Sequence, residues 1–517
     1  MADIVETIKD GHRVISVAET ISLAESISPE SPSKAKHTKV LLLNPPFSLE
    51  KRYGRSIAKI GTILIPLGLG YIAAVIDKAR YRVKILDCQA ENMGKEEIVN
   101  YCEKERFDVI GVYCNTSNFN STKELCRAIK EKLPDCRFIA GGPQAFNEKI
   151  PTLDNDIIDF IVYGEAEDTF VELLNAIEYK WDDERKGKVL GMGYKSADGK
   201  IVMNQPRPFI GDIDSLPFPA RHLFNLKLYK PSPNQYKRVP YFSVMASRGC
   251  PYTCTFCNIV NMWERKYRIR SPDNVIAEMR ELKEKYGARD IGFWDDIFGL
   301  SKKWMHEFCN KLIEAKLDLV WSCLTRVDLV DIDTLKLMKK SGCWMIFFGM
   351  ESLDEDVLRA VDKKTSPAQN LRAIELAQEA GIEVRANFII GCPDETPEKV
   401  KKELKLLCKA NPDYVKFNIM TPYPGTKIYE QIKQGMWGTM LEDRERFTHY
   451  NVTFVPSGYK DAKEVEKMRR YAFTKFYLRP GYIIPKLLSI RSMTDLRRYY
   501  DGFNAIKSLA LSKIKNW

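Results

Sequence analysis

Residues 247–259 read "SRGCPYTCTFCNI" and set Cys250, Cys254 and Cys257 at C-x-x-x-C-x-x-C spacing, with no fourth cysteine close by. A structural zinc site generally needs four side-chain ligands, most often as two C-x-x-C or C/H pairs. Here the second pair is missing; His222 and His306 stand far off, and no histidine follows the loop at finger-like spacing. Three thiolates on one short loop suit a four-iron, four-sulfur cluster with three protein-bound irons and a fourth left open for a substrate. A mononuclear zinc loop is the competing reading.

The loop follows "YFSVMAS" (241–247), the first of six short apolar runs. The others are "DIGFWDD" (290–296), "DLVWSCLTR" (318–326), "CWMIFFGMES" (343–352), "EVRANFIIGCP" (383–393) and "YVKFNIMTPYPGT" (414–426). Amphipathic stretches intervene, such as "SPDNVIAEMRELKEKYG" (271–287), with Ser271 and Pro272 as an amino-terminal cap and Gly287 as a stop. Six strand-and-helix units predict an open parallel β/α barrel over 238–440.

An earlier series precedes it: "KVLLLNPP" (39–46), "RVKILDCQ" (82–89), "FDVIGVYCNTS" (107–117), "RFIAGGPQ" (137–144) and "DFIVYGEAE" (159–167). These are apolar runs ending in polar or glycine residues, the pattern of a parallel sheet buried on both faces. Helices are predicted at 60–78, 95–105, 121–133 and 168–177. The fold class is therefore α/β: a doubly wound, Rossmann-like domain (37–180), a linker with a small hairpin (181–237), a partial (β/α)6 TIM-like barrel (238–440) and a helical, basic C-terminal region (441–517). Residues 1–36 read as a mobile extension.

The 517 residues are 44% hydrophobic and 29% charged, and 80 Lys and Arg against 69 Asp and Glu give +11. That balance suits anionic ligands or acidic surfaces without choosing among them. The run "GTILIPLGLGYIAAVI" (61–76) is broken by Pro66 and several glycines and is too short for a membrane span. The start lacks the pattern of a secretory signal, so a cytoplasmic chain is expected. Thirteen cysteines scattered through strands and helices do not resemble a disulfide framework, and Cys309, Cys323, Cys343, Cys392 and Cys408 read as reduced core thiols.

With its three-cysteine signature the chain resembles the radical S-adenosylmethionine (SAM) superfamily. The resemblance implies that the open iron holds the amino and carboxylate groups of SAM, and that one electron cleaves SAM to a 5′-deoxyadenosyl radical. It places Phe256 against the adenine, Asp295 and Asp296 toward the methionyl amino group, and Ser322 and Arg326 at the third strand, with Arg326 paired to the methionyl carboxylate. It places Glu351 on the ribose and Ile390 and Gly391 along the adenine. Alternatives stand for single residues: Asp295 and Asp296 capping the next helix, Glu351 in a surface pair.

The first domain resembles the cobalamin-binding subgroup, through "LLLNPPF", "IPLGLGYIAAVI", "GGPQ" and "YGEAE". Gly141 and Gly142 would let a nucleotide tail approach the backbone; Asn115, Thr116, Ser117, Gly164 and Glu165 are the other cobalamin candidates. The D-x-H-x-x-G motif, whose histidine ligates cobalt, is absent. RNA methylthiotransferases compete, because Cys88 and Cys114 sit at strand ends where those relatives hold a second cluster; Asn44 at the first strand end argues against them, and a nucleic-acid partner is not expected.

The resemblance implies methylation of an unactivated carbon, with ring closure or rearrangement as the alternative and a non-catalytic corrinoid or cluster carrier as the other class. The expected partners are a small-molecule or lipid substrate, such as a terpenoid or tetrapyrrole, and a low-potential donor such as ferredoxin or flavodoxin. From Arg479 onward, eight Lys or Arg and two Asp interleave with Tyr482, Ile484, Leu487, Leu488, Tyr499 and Phe503. Such a segment could lie on an anionic bilayer as a peripheral contact, or pack on the barrel with a solvated basic face. "ERKYRIR" (264–270) could steer phosphates or begin a helix with exposed charges.

Overall fold

A computed structural model describes residues 38–53, 58, 61–441, 443–488, 490 and 493–511. The expected extension over 1–36 lies outside the described residues. The chain divides into two compact units, Met1–Pro46 with Pro66–Leu226, and Phe47–Ile65 with Lys227–Trp517.

The first unit is a seven-stranded sheet of β1 (Lys39–Asn44), β2 (Arg82–Asp87), β3 (Val109–Tyr113), β4 (Arg137–Gly141), β5 (Phe160–Val162), β6 (Met192–Lys195) and β7 (Ile201–Met203), in the order β2-β1-β3-β4-β5-β6-β7. The first five are parallel; β6 and β7 add antiparallel. The strand period of two sorts β1 between two cores: Leu41 and Leu43 join one cluster with Ile110 and Phe138, while Val40 and Leu42 join the other with Ile139 and Phe170. Strand order reverses at β1 and β3, the switch point outside which open sheets of this kind bind ligands.

Two features depart from the sequence reading. The hairpin of the presumed linker supplies β6 and β7, so the sheet runs past residue 180. The helix expected from residue 60 begins at Leu67, after Pro66. Ahead of it Ile63 is extended and bridged to Lys230, within the second unit.

The second unit carries six parallel strands in the order β15-β14-β13-β12-β11-β8: β8 (Tyr241–Val244), β11 (Asp290–Phe293), β12 (Val320–Thr325), β13 (Cys343–Glu351), β14 (Glu383–Ile390) and β15 (Tyr414–Ile419). Between β8 and β11, β9 (Ser247–Arg248) pairs antiparallel with β10 (Arg268–Ile269). "ERKYRIR" is therefore not the exposed start of a helix; Arg270 is buried in an ion pair with Glu278.

The helices cover the outer face, where Phe293 stacks on Phe298 and Trp304 on Phe308, with Trp321 edge-to-face against Phe293 and Trp304 against Phe298. β8 and β15 are the two edges of an open barrel. The Tyr477 phenol covers part of the β15 edge, accepting from the Val415 N–H at 2.8 Å and donating to its carbonyl at 2.7 Å. Tyr477 ends the helix Ala462–Tyr477, which is followed by helices Pro480–Leu488 and Met493–Leu511. The region after the barrel is thus helical from Ala462, preceded by the short pair β16 (Gly438–Met440) and β17 (Phe454–Pro456). Among the described residues no helix is long and apolar enough to cross a membrane.

Candidate active site

The cysteine loop is held from behind by the end of β11. Asp295 Oδ1 accepts the Ala246 N–H at 2.9 Å, the Ser247 N–H, and the Ser247 hydroxyl at 2.6 Å; Asp296 Oδ2 accepts the Gly249 N–H at 3.0 Å. Burial pushes the Asp295 carboxyl up to about 7 against the pull of these donors. Its Oδ2 has no partner among the described residues. The helix-cap alternative for this pair does not hold, because Ser301 caps the following helix, Lys302–Ala315.

Gly249 has φ +90, and a Cβ there would lie 2.0 Å from the Lys266 carbonyl oxygen. The loop can therefore turn over the β9–β10 pair only with glycine at this point.

From that turn the chain presents Cys250, Cys254 and Cys257 within eight residues. The loop is tied to its surroundings by Thr255 N–H to Val361 O (3.1 Å), Ile428 N–H to Thr255 O (3.0 Å) and the Thr253 hydroxyl to Asp362 Oδ2 (2.6 Å). Burial raises all three thiols, Cys257 to about 12, so they are protonated until iron displaces three protons, and cluster binding is favoured by rising pH. Among the described residues no three His, Cys, Asp or Glu side chains converge on a single metal ion. Three thiols on one short loop without a fourth ligand in sequence suit a polynuclear cluster in which each thiolate takes its own iron better than a structural zinc site, which needs four ligands.

The other candidates fall at the carboxyl ends of successive strands, where barrel enzymes keep their chemistry. Phe256 packs against a cluster that holds Ile389 and Cys392, beside the end of β14. Ile390 is buried, and Gly391 turns out of the strand at φ +84 with its N–H on Glu395 Oε1 at 2.7 Å. Glu395 also accepts the Tyr459 hydroxyl, and burial, then Glu403, pushes its carboxyl up to about 8. Ser322 is fully buried in β12, and its hydroxyl has no partner among the described residues, the kind of orphaned group a ligand satisfies.

Two candidates are engaged differently from the expectation. The Arg326 guanidinium forms a two-toothed pair with Asp328 (2.9 and 3.0 Å), donates to the carbonyls of Lys363 (3.0 Å) and Lys364 (3.3 Å), and lies 3.7 Å over the Tyr252 ring. It braces the cysteine loop through Tyr252 rather than offering a free fork to a carboxylate. Glu351, at φ +64, pairs through Oε1 with the buried Lys363 at 2.9 Å, so the surface-pair reading fails; no donor reaches Oε2 among the described residues. Lys363 escaped the sequence reading. Burial opposes its charge, but Glu351 and the Cys254 thiol outweigh that and hold the ammonium above its ordinary range.

In the first unit, Asn115, Thr116 and Ser117 follow β3, Gly141 and Gly142 close β4, and Gly164 follows β5, all on the carboxyl edge. Asn115 Oδ1 already accepts from the Ser117 N–H and hydroxyl and the Asn118 N–H, so this turn is self-capped. Gly142 (φ +97) packs against the Cys114 carbonyl, whereas space beside Gly164 (φ +84) is open. Glu165 is buried and accepts the Ile210 N–H through Oε2 at 2.7 Å. An edge with open glycine backbone fits a bulky nucleotide-tailed ligand such as cobalamin. Cys88 and Cys114 are buried in the apolar core with Cys102 and Cys126, which removes the second-cluster reading.

Comparison with known proteins agrees with this geometry. The family model of the radical SAM superfamily matches residues 244–407, and that of the B12 binding domain matches residues 56–174. The "Uncharacterized methyltransferase PH0819" of Pyrococcus horikoshii is 33% identical over 452 residues, covering 87% of this chain and 94% of the relative. The anaerobic magnesium-protoporphyrin IX monomethyl ester cyclase of Rubrivivax gelatinosus is 27% identical over 492 residues, 90% of this chain and 84% of its own. Among solved structures, the radical SAM methyltransferase TsrM of Kitasatospora setae, with cobalamin and a 4Fe–4S cluster bound, superposes with a TM-score of 0.65 at 16% identity over 91% of this chain and 99% of that one. The cobalamin-dependent radical SAM enzyme OxsB gives 0.70 at 14% identity over 96% and 77%; at such identities the likeness is one of fold. The chain belongs to the radical SAM superfamily, among the enzymes that carry a B12-binding domain ahead of the radical SAM barrel, and its cofactors are a 4Fe–4S cluster, SAM and cobalamin.

Proposed function

We propose that the protein methylates an unactivated carbon of a small molecule, drawing electrons from a small low-potential carrier of the ferredoxin or flavodoxin kind. The observation that carries this reading is the three-thiol loop, pinned by Asp295 and Asp296 at the head of the barrel, in a chain that matches a methyltransferase over 94% of that relative's length. When bound, the cluster and SAM supply the hydrogen-abstracting radical and the cobalamin carries the methyl group.

The chain's own residues bind and position. Cys250, Cys254 and Cys257 give up their protons and hold three corners of the cluster. Asp295 Oδ2 and the Ser322 hydroxyl, both buried and unpartnered, offer polar contacts to SAM; Glu351 Oε2 accepts a ribose hydroxyl while Lys363 holds its other oxygen. Glu395 fixes the Gly391 turn, and with Ile390 and Phe256 it gives the adenine an apolar wall. Arg326, spent on Asp328 and two carbonyls, keeps Tyr252 and so the loop in place.

Anaerobic incubation of the reconstituted protein with dithionite and SAM tests the proposal. The expected result is 5′-deoxyadenosine together with S-adenosylhomocysteine, the latter up to one equivalent per bound cobalamin before substrate is added. 5′-Deoxyadenosine without S-adenosylhomocysteine would instead support ring closure, the reading favoured by the cyclase relative. Absence of both, with an intact cluster, would reduce the protein to a carrier.

A further inference from the structure

The second unit contains a cavity of about 520 Å³ beside the open β15 edge, lined by β14 and β15, by Tyr53 and Pro233–Gln235, and by the three C-terminal helices. That volume lies in the range of small-molecule sites. Its wall is mostly aromatic and aliphatic, yet Arg385 and Lys416 reach it from the barrel strands. Arg385 pairs in register with Tyr414 and Lys416 with Asn387, so the two cations lie on one face of adjacent strands.

Among the described residues neither cation has a counter-ion. Arg385 is 6% exposed, and its Nε and Nη1 have no hydrogen-bond partner among the described residues. Its guanidinium lies 4.7 Å from the Phe347 ring centroid, and the Lys416 ammonium 5.3 Å from that of Tyr450. Ring faces return only part of the hydration that a buried cation gives up. Among the described residues no Asp or Glu lines the cavity; the third cation there, Lys486, is already held by Asp413 at 2.8 Å.

The surroundings repeat the imbalance. Arg469, 5% exposed, also has unpartnered Nε and Nη1 and acts with Arg385 and Arg52 on the Tyr450 phenol, with Glu466 as its partial offset. Burial, then Arg385 and Arg52, pushes Lys416 down to about 7, and burial, then Lys416 and Arg52, pushes His449 down to about 4. His449 is thus held neutral and Lys416 partly so beside the charged Arg385; an anion seated here would restore the charge on Lys416 and pair with the guanidinium.

The mouth has the opposite chemistry. Leu487, Leu496, Tyr500 and Phe503 line the cavity and are also exposed, at 59%, 46%, 65% and 51%. Apolar side chains left in water around an opening call for an apolar ligand body.

We propose that this cavity binds an amphiphile with an anionic oxygen group, a phosphate or a carboxylate, seated on Arg385 and Lys416, its apolar body lying under the C-terminal helices. The site is separate from the one at the carboxyl ends of the strands, because Arg385 and Lys416 stand near the amino-terminal ends of β14 and β15. Phosphate and carboxylate share the recognising chemistry, two or more oxygens facing a guanidinium fork and an ammonium.

Calorimetry on the anaerobic holoenzyme, without reductant and below the micellar concentration of each probe, tests it. Dodecyl phosphate, dodecanoate and dodecanol carry the same chain with different heads. The expected result is that at least one anionic probe binds about tenfold or more tighter than dodecanol, the tighter of the two naming the head group. Arg385→Gln and Lys416→Met are each expected to remove most of that preference while leaving dodecanol binding unchanged. Lys416 is only half-buried, so its variant serves if the Arg385 variant does not fold. Equal binding of dodecanol, or a preference that survives Lys416→Met, would overturn the proposal. Because no turnover is read, these outcomes are independent of whether the unaltered protein makes 5′-deoxyadenosine.

Discussion

Alanine in place of Cys254 is expected to abolish 5′-deoxyadenosine formation, by about 10³-fold or more, equivalent to about 4 kcal/mol of barrier. The thiol is one of three held on a loop whose ends are fixed elsewhere: at Gly249 by Asp296, at Thr253 by Asp362 and at Thr255 by Val361. Of the five barrel cysteines read as core thiols, Cys309, Cys323 and Cys343 are buried in helices and strands and Cys392 just after β14, whereas Cys408 is half-buried and accepts from Arg479 at 3.1 Å. Far-UV circular dichroism should stay unchanged while iron content falls, which separates loss of the cluster from loss of the fold. Retained activity would show that the loop is not the cluster's seat.

The second large effect is expected from Gly249→Ala, which leaves every ligand in place. A left-handed backbone costs an L-residue about 1–2 kcal/mol, and the new methyl group, 2.0 Å from the Lys266 carbonyl oxygen, adds overpacking of about 1–3 kcal/mol. The clash falls on backbone, so no side-chain rotation relieves it. The loop must lift, Asp296 loses its partner, and iron incorporation is expected to drop severalfold. Gly287→Ala is the control: φ is +68 but nothing lies within 4 Å of the added Cβ, so stability should fall by about 1–2 kcal/mol with iron content intact. Equal iron loss in both variants would mean that general destabilisation, not the turn, is responsible.

Much of this architecture was legible in the chain because it depends on short-range patterns. Apolar runs of strand length that end in glycine or polar residues marked five strands of the first sheet and all six of the barrel, and the Ser271–Pro272 cap and Gly287 stop bound their helix as expected. Spacing alone put three thiols on one short loop.

What escaped depends on partners distant in sequence. Whether residues 192–203 form a free hairpin or extend a sheet is decided by the exposed edge of β5, which local periodicity does not encode. Arg326 was expected to face a carboxylate, and Asp328, two residues on, takes it instead. Lys363 is one of two adjacent lysines after a helix, and nothing local says that it, not Lys364, is buried against Glu351. The clearest missed signal lies in "EVRANF" and "YVKFN": a cation within each of two neighbouring apolar strands. Alternation marks each as a strand, but the face that Arg385 and Lys416 share follows only once the two strands are neighbours in register.

Mössbauer spectra of protein reconstituted with isotopically enriched iron, recorded with and without SAM, probe the central claim, that three thiolates hold a cluster whose remaining iron is open to SAM. The account predicts that roughly one iron in four changes its spectrum when SAM is added and the others do not. Four irons indifferent to SAM, or a single zinc ion in place of iron, would contradict it.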